Sequence, residues 1–215
     1  NKYDIFEEKK ISLFCDAILN IDDFREKIND KSFKPYKRIP KNFFLSIGRF
    51  TKQKNYEYLV YEFKEFCKKH PDENLIIIGE GELKNKIKKI INKTNMSNNI
   101  FVMDHTSNVY YFMRRSKAFI LSSLWEEVGF VIVEAAVSNL FIISSNCKNG
   151  PKEFLSYGSA GILFENNKTS SLKKELENFE NLSKSELFKK KVKAKKNSIK
   201  FTMFQHQMHL KKLLV

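Results

Sequence analysis

Four charged residues stand where side chains of their type can do chemistry: Arg49, Lys54, Glu126 and Glu134. Each follows a short apolar run, and in an open parallel sheet ligands bind beyond the C-terminal ends of such runs. Gly48-Arg49-Phe50 leaves the run at residues 43–47, with Lys54-Asn55 close behind. Gly48 permits a tight exit. Arg49 and Lys54 precede the next helical pattern, where the helix dipole disfavours cations unless an anion lies between them. A diphosphate would be such an anion, with Arg49 as a fork and Lys54 as a point charge. The competing reading is that both are ordinary surface cations in a chain with 39 Lys and Arg.

The two carboxylates belong to residues 125–136, WEEVGFVIVEAA. Gly129 and Phe130 mark a helix start, whose unpaired N–H groups suit phosphate or sugar oxygens. Glu134 then falls on the second turn among apolar neighbours. That predicts partial burial and a need for partners, such as the two adjacent hydroxyls of a ribose. Glu126 lies eight residues earlier, in the loop, and can face the same pocket. Gly79-Glu80-Gly81 follows another apolar run, and its glycines allow close backbone approach to a ligand. Position 84 is Lys, so the third glycine of a dinucleotide fingerprint is absent. A plain turn explains this pair of glycines equally well. The same holds for Asn149-Gly150-Pro151, which either closes over a site or only starts a helix.

These positions need elements to hold them. Apolar runs at residues 43–47, 75–78, 100–103, 118–121, 141–143 and 161–164 read as strands buried on both faces. Helical patterns lie between them. Tyr58, Leu59, Tyr61, Phe63 and Phe66 predict one inward face; Leu83, Ile87, Ile90 and Ile91 predict another. The alternation predicts an α/β fold, a Rossmann-like doubly wound parallel sheet of about six strands with helices on both faces. Residues 1–41 stand outside it, with a short helix at 22–29 and a linker at 31–41. Residues 42–198 form the main unit, and residues 199–215 carry a last amphipathic helix.

The totals narrow the class. The chain has 215 residues, 42% apolar, enough for a packed core. No apolar stretch is long enough to span a membrane, and the first ten residues lack a signal-peptide core. The chain does not begin with Met, and a fragment of a longer protein is expected. Cys15, Cys67 and Cys147 fit neither a disulfide framework nor a zinc site, which favours a reducing cytoplasm. The net charge of +14 fits nucleic acid, an anionic membrane or a phosphorylated substrate, or composition alone. The Lys residues spread over many segments rather than one block, which weakens a nucleic-acid role.

In combination, Gly48-Arg49-Phe50, Lys54-Asn55, Gly79-Glu80-Gly81, and Glu126 with Glu134 in an E-x7-E arrangement resemble the retaining GT-B-fold glycosyltransferases of the group 1 type. SLWEEVGFVIVEAA and NGPKEFL are similar to the bacterial members that build capsule, lipopolysaccharide and other surface polysaccharides. The resemblance covers residues 42–215. It implies the C-terminal, donor-binding half of a two-domain enzyme, with an N-terminal acceptor domain missing except for a remnant at 1–41 and with the last helix crossing back toward that domain. It implies a nucleotide-diphosphate-sugar donor, a UDP-sugar ahead of a GDP-sugar, and a glycan or lipid-linked acceptor. Arg49 and Lys54 would bind the diphosphate, Glu134 the ribose and Glu126 the transferred sugar. Gly48, Gly79, Gly81, Val128, Gly129 and Phe130 would line the donor site. No metal or cofactor is expected. Glu127 and Val128 depart from the small residue and Phe that the family often has there. The +14 charge suits peripheral contact with an anionic membrane at its cytoplasmic face. The alternative is a basic nucleic-acid-binding or interaction module without catalysis; the intact charged set speaks against it, and no nucleic-acid partner is expected.

Overall fold

The computed structural model describes residues 15–35, 39–127 and 129–214. Six parallel strands form one sheet in the order β3-β2-β1-β4-β5-β6. They are β1 (Phe44–Ile47), β2 (Leu75–Ile78), β3 (Ile100–Met103), β4 (Ala118–Leu121), β5 (Phe141–Ser145) and β6 (Ile162–Phe164). Helices α1 (Ile21–Asn29), α2 (Tyr56–Cys67), α3 (Lys84–Lys93), α4 (Val109–Met113), α5 (Phe130–Val137), α6 (Pro151–Phe154), α7 (Ser171–Glu180), α8 (Lys184–Ser198) and α9 (Met203–Leu214) surround it. The α/β alternation is therefore the doubly wound sheet expected, each strand falling within two residues of its apolar run.

The strand period of two divides the core. Phe44, Leu75, Ile77, Ala118, Ile120 and Phe141 point to the layer of α2, α3 and α7. Leu45, Ile76, Ile78, Phe119, Leu121 and Ile142 point to the opposite layer, with α4, α5 and the buried Ala194 of α8. Phe44 meets Phe63, Phe66 and Phe179 edge-on at 5.7–5.9 Å, tying α2 and α7 to the sheet.

One helix face differs from expectation. Tyr61 is 43% exposed, whereas Val60 and Glu62 are buried. Packing of α2 against α7 and α3 as well as the sheet rotates its buried arc past Tyr61. Glu62 accepts the N–H groups of Ser170 at 2.8 Å and Lys173 at 3.0 Å, satisfying the start of α7.

Ahead of the sheet, Leu19 is 1% exposed and bridges to Thr202, and Phe24 meets Tyr110 of α4 edge-on at 5.0 Å. The described residues preceding β1 therefore pack on the α4 side of the domain. No helix among the described residues is long and apolar enough to cross a membrane.

Candidate functional site

The sheet order reverses between β1 and β4, so the loops that follow these two strands part to opposite faces and leave a crevice. Arg49 and Lys54 come from the first loop, Glu126 and Gly129 from the second. The loops are stitched together: the Leu124 N–H donates to the Gln53 carbonyl at 2.8 Å, the Gln53 amide to the Trp125 carbonyl at 2.9 Å, and the Ser122 hydroxyl to the Lys54 carbonyl at 2.7 Å.

At the floor, Lys54 Nζ donates to Glu126 Oε1 at 2.5 Å, and the Ser123 hydroxyl donates to the same oxygen at 2.5 Å. The side chains of Lys54 and Glu126 are 14% and 6% exposed. The anion expected beside Lys54 is thus already supplied by the protein. A ligand phosphate would share a lysine that Glu126 holds in place, rather than neutralise a bare one. Removing either partner would strand a buried charge. Ser145 in turn donates to the Ser123 carbonyl at 2.6 Å, so the end of β5 fixes the loop that carries Glu126. Arg49 is exposed on the rim and has no ion pair among the described residues.

The β2 loop closes the next wall. Gly79, at φ +155°, passes so close to β1 that a Cβ would lie 2.0 Å from the Gly48 carbonyl oxygen. Gly81, at φ +148°, lies against the Phe50 backbone, where a Cβ would approach N and O to 2.7 Å. Gly79 lines the crevice, whereas Gly81 serves the joint between the two loops. Lys84, standing where a dinucleotide fingerprint has its third glycine, donates to Glu80 at 2.8 Å and to Asp104, pinning the β2 and β3 loops together.

Gly129, in the left-handed region at φ +71°, begins α5, with no side chain capping the first turn. The first α5 N–H groups are therefore left for a ligand. Glu134 sits one turn further, half-buried, and burial raises its pKa to about 6; Lys27 opposes the rise and Asp23 adds to it. Burial, with Glu134 and Asp23 nearby, also pushes the Tyr110 phenol up.

These parts enclose a crevice of about 790 Å³. Gly48, Arg49, Lys54, Gly79, Glu126, Gly129, Phe130 and Glu134 all line it. Val128 lies outside the described residues. His105, Thr106 and Val109, which the sequence did not single out, also line it, as do Gln53, Glu80 and Trp125, which lie in the candidate loops but carried no assigned role. His105 and Thr106 follow β3 at the same sheet edge, so the rule that singled out the other loops reaches them as well. Ser123 carried a fainter signal, a hydroxyl immediately past a strand.

Known proteins share this fold. The profile of the family described as Glycosyl transferases group 1 matches residues 25–201. An uncharacterized glycosyltransferase of Methanocaldococcus jannaschii is 40% identical over 140 residues, covering 64% of this chain and 34% of that protein. The Campylobacter jejuni N-acetylgalactosamine-N,N'-diacetylbacillosaminyl-diphospho-undecaprenol 4-alpha-N-acetylgalactosaminyltransferase is 27% identical over 158 residues, covering 74% and 42%. TarM of S. aureus, solved in complex with UDP, superposes with a TM-score of 0.72 at 24% identity, covering 84% and 38%. The chain thus spans less than half the length of each of these three proteins. With the profile matched over most of its length and the doubly wound sheet and crevice in place, this chain belongs to the glycosyl transferases group 1 family.

Proposed function

We propose that the crevice is the donor site of a retaining glycosyltransferase, and that this chain supplies the donor-binding half of that enzyme. The observation that carries the reading is the gathering of Arg49, the Lys54–Glu126 pair, the open start of α5 and Glu134 around one crevice at the switch point. Arg49, Lys54 and the α5 N–H groups hold the diphosphate and offset the charge that develops on it as it leaves. Glu134 accepts the two ribose hydroxyls. Glu126 faces the transferred sugar near its anomeric carbon. The anomeric C–O bond breaks toward the β-phosphate, and the acceptor hydroxyl attacks from the same face within an ion pair. Its proton passes to the departing phosphate oxygen. The cations and the helix start take the place of a metal ion.

A UDP-sugar is the proposed donor, supported by the UDP in the S. aureus TarM structure. The acceptor is a glycan or lipid-linked glycan held by an N-terminal domain of the same enzyme, as the undecaprenol-linked substrate in the C. jejuni relative's name suggests. The setting is bacterial surface polysaccharide synthesis at the cytoplasmic face of the membrane, which the +14 charge suits. The test is transfer from UDP-sugars by the enzyme containing this chain, run in chelator, with the product's anomeric configuration read by NMR. Retained configuration without added metal is expected. An inverted product, or activity only with a divalent ion, would sink the mechanism.

A further inference from the structure

We infer that the outward face of α8 is a docking surface for an anionic phospholipid bilayer. Residues 184–200 hold eight Lys against one Glu, a net +7 and half of the chain's +14. Half of the net charge thus falls on α8 and the two residues after it, although 31 of the 39 Lys and Arg lie elsewhere. That helix turns Ala194 and Ser198 inward. Its outward side presents Phe188, 65% exposed, with Lys189, Lys195 and Lys196, and Ile199, 52% exposed, follows at its C-terminal end. Phe188 and Ile199 are about 16 Å apart along the axis, one near each end of the segment, with lysines between them.

Only part of this arrangement serves the fold. Lys190 and Lys193 are used locally, donating to the Gly158 carbonyl at 2.6 Å and to the Ser159 hydroxyl at 2.7 Å. Lys189, Lys195 and Lys196 are exposed and make no ion pair among the described residues. The loop that Lys190 and Lys193 anchor carries Tyr157, 73% exposed, which adds an aromatic near the same surface.

Apolar side chains interleaved with lysines suit the headgroup boundary, where the chains sink and the ammonium groups meet lipid phosphates. The charge is entirely Lys; α8 contains no Arg, the side chain whose planar fork matches nucleic-acid phosphate and stacks on bases. The chemistry therefore favours a lipid surface over RNA. Just beyond the helix, Phe201 packs on Phe154 of α6, which fixes the C-terminal end of the helix on the domain. The inference rests on the charge and exposure of this helix and not on the glycosyltransferase reading.

Flotation with phosphatidylcholine vesicles, with and without phosphatidylglycerol, tests it. The 215-residue chain should float only with the anionic vesicles, and less at high salt. Replacing Lys189, Lys195 and Lys196 by Glu should weaken binding roughly a hundredfold, at about fivefold or more per lysine. Phe188→Ser should weaken it severalfold without a charge change. The control carries Lys88→Glu, Lys89→Glu and Lys93→Glu on the exposed face of α3, the same change in net charge, and should bind nearly as wild type. Equal loss in both triple variants, no preference for phosphatidylglycerol, or displacement from vesicles by a single-stranded RNA that binds more tightly would each overturn the inference. UDP titration of the same samples reports separately on folding and on the donor site, so either reading can fail without the other.

Discussion

Glu134 shows what one side chain reveals about a site. A carboxylate on a helix otherwise apolar from Phe130 to Val137 is kept at a cost, since burial raises its pKa from 4.5 to about 6. Because the folded value is the higher, this group's contribution to stability is full below about pH 4.5 and is lost as the pH rises through about 6, some 2 kcal/mol in all. We expect Glu134→Gln to match wild type in urea denaturation near pH 4 and to exceed it by up to about 2 kcal/mol near pH 7.5. UDP affinity of the wild type should fall as the pH drops through about 6, because the ionised form accepts the ribose hydroxyls. An unchanged stability difference between the two pH values would remove Glu134 from this role. The residue was legible in the sequence because its apolar neighbours implied burial. The Lys54–Glu126 contact was not, because its partners are 72 residues apart and nothing local predicts their meeting.

At the scale of elements, the strands were legible because both faces of the sheet are covered, leaving runs such as LIII with no polar alternation. The inward arc of α2 was only partly so. Periodicity placed Tyr61 inside, but three neighbours share the helix, and Glu62 took the buried place to satisfy the start of α7. Glu62→Ala should cost about 2 kcal/mol of stability by unpairing two N–H groups, read as a lower urea midpoint. UDP affinity should not change, since Glu62 does not line the crevice. A loss of affinity at unchanged stability would place Glu62 in the site. The two glycines after β2 divide along similar lines. Both looked like ligand contacts, yet the space around Gly81 is filled by the Phe50 backbone, a constraint set by loop packing that spacing cannot show.

For the whole molecule, strand order is the property that joins the site to the fold. The order β3-β2-β1-β4-β5-β6 brings the first and fourth loops together, and with them residues that the sequence separates widely. The alternation of elements implied a doubly wound sheet, and the rule for such sheets implied where to look; the distances inside the crevice came only from the folded chain. The division of labour between the two carboxylates is the central claim, and calorimetry on this chain with UDP and with UDP-N-acetylglucosamine tests it most directly. Glu134→Ala should weaken both ligands by about tenfold or more, the loss of a charge-assisted contact to the ribose. Glu126→Gln, which keeps a side chain of the same shape against Lys54 and Ser123, should lower the extra affinity that the sugar confers by more than it changes the affinity for UDP alone. Folded wild-type chain that binds neither ligand, or equal effects of the two substitutions on UDP alone, would contradict it.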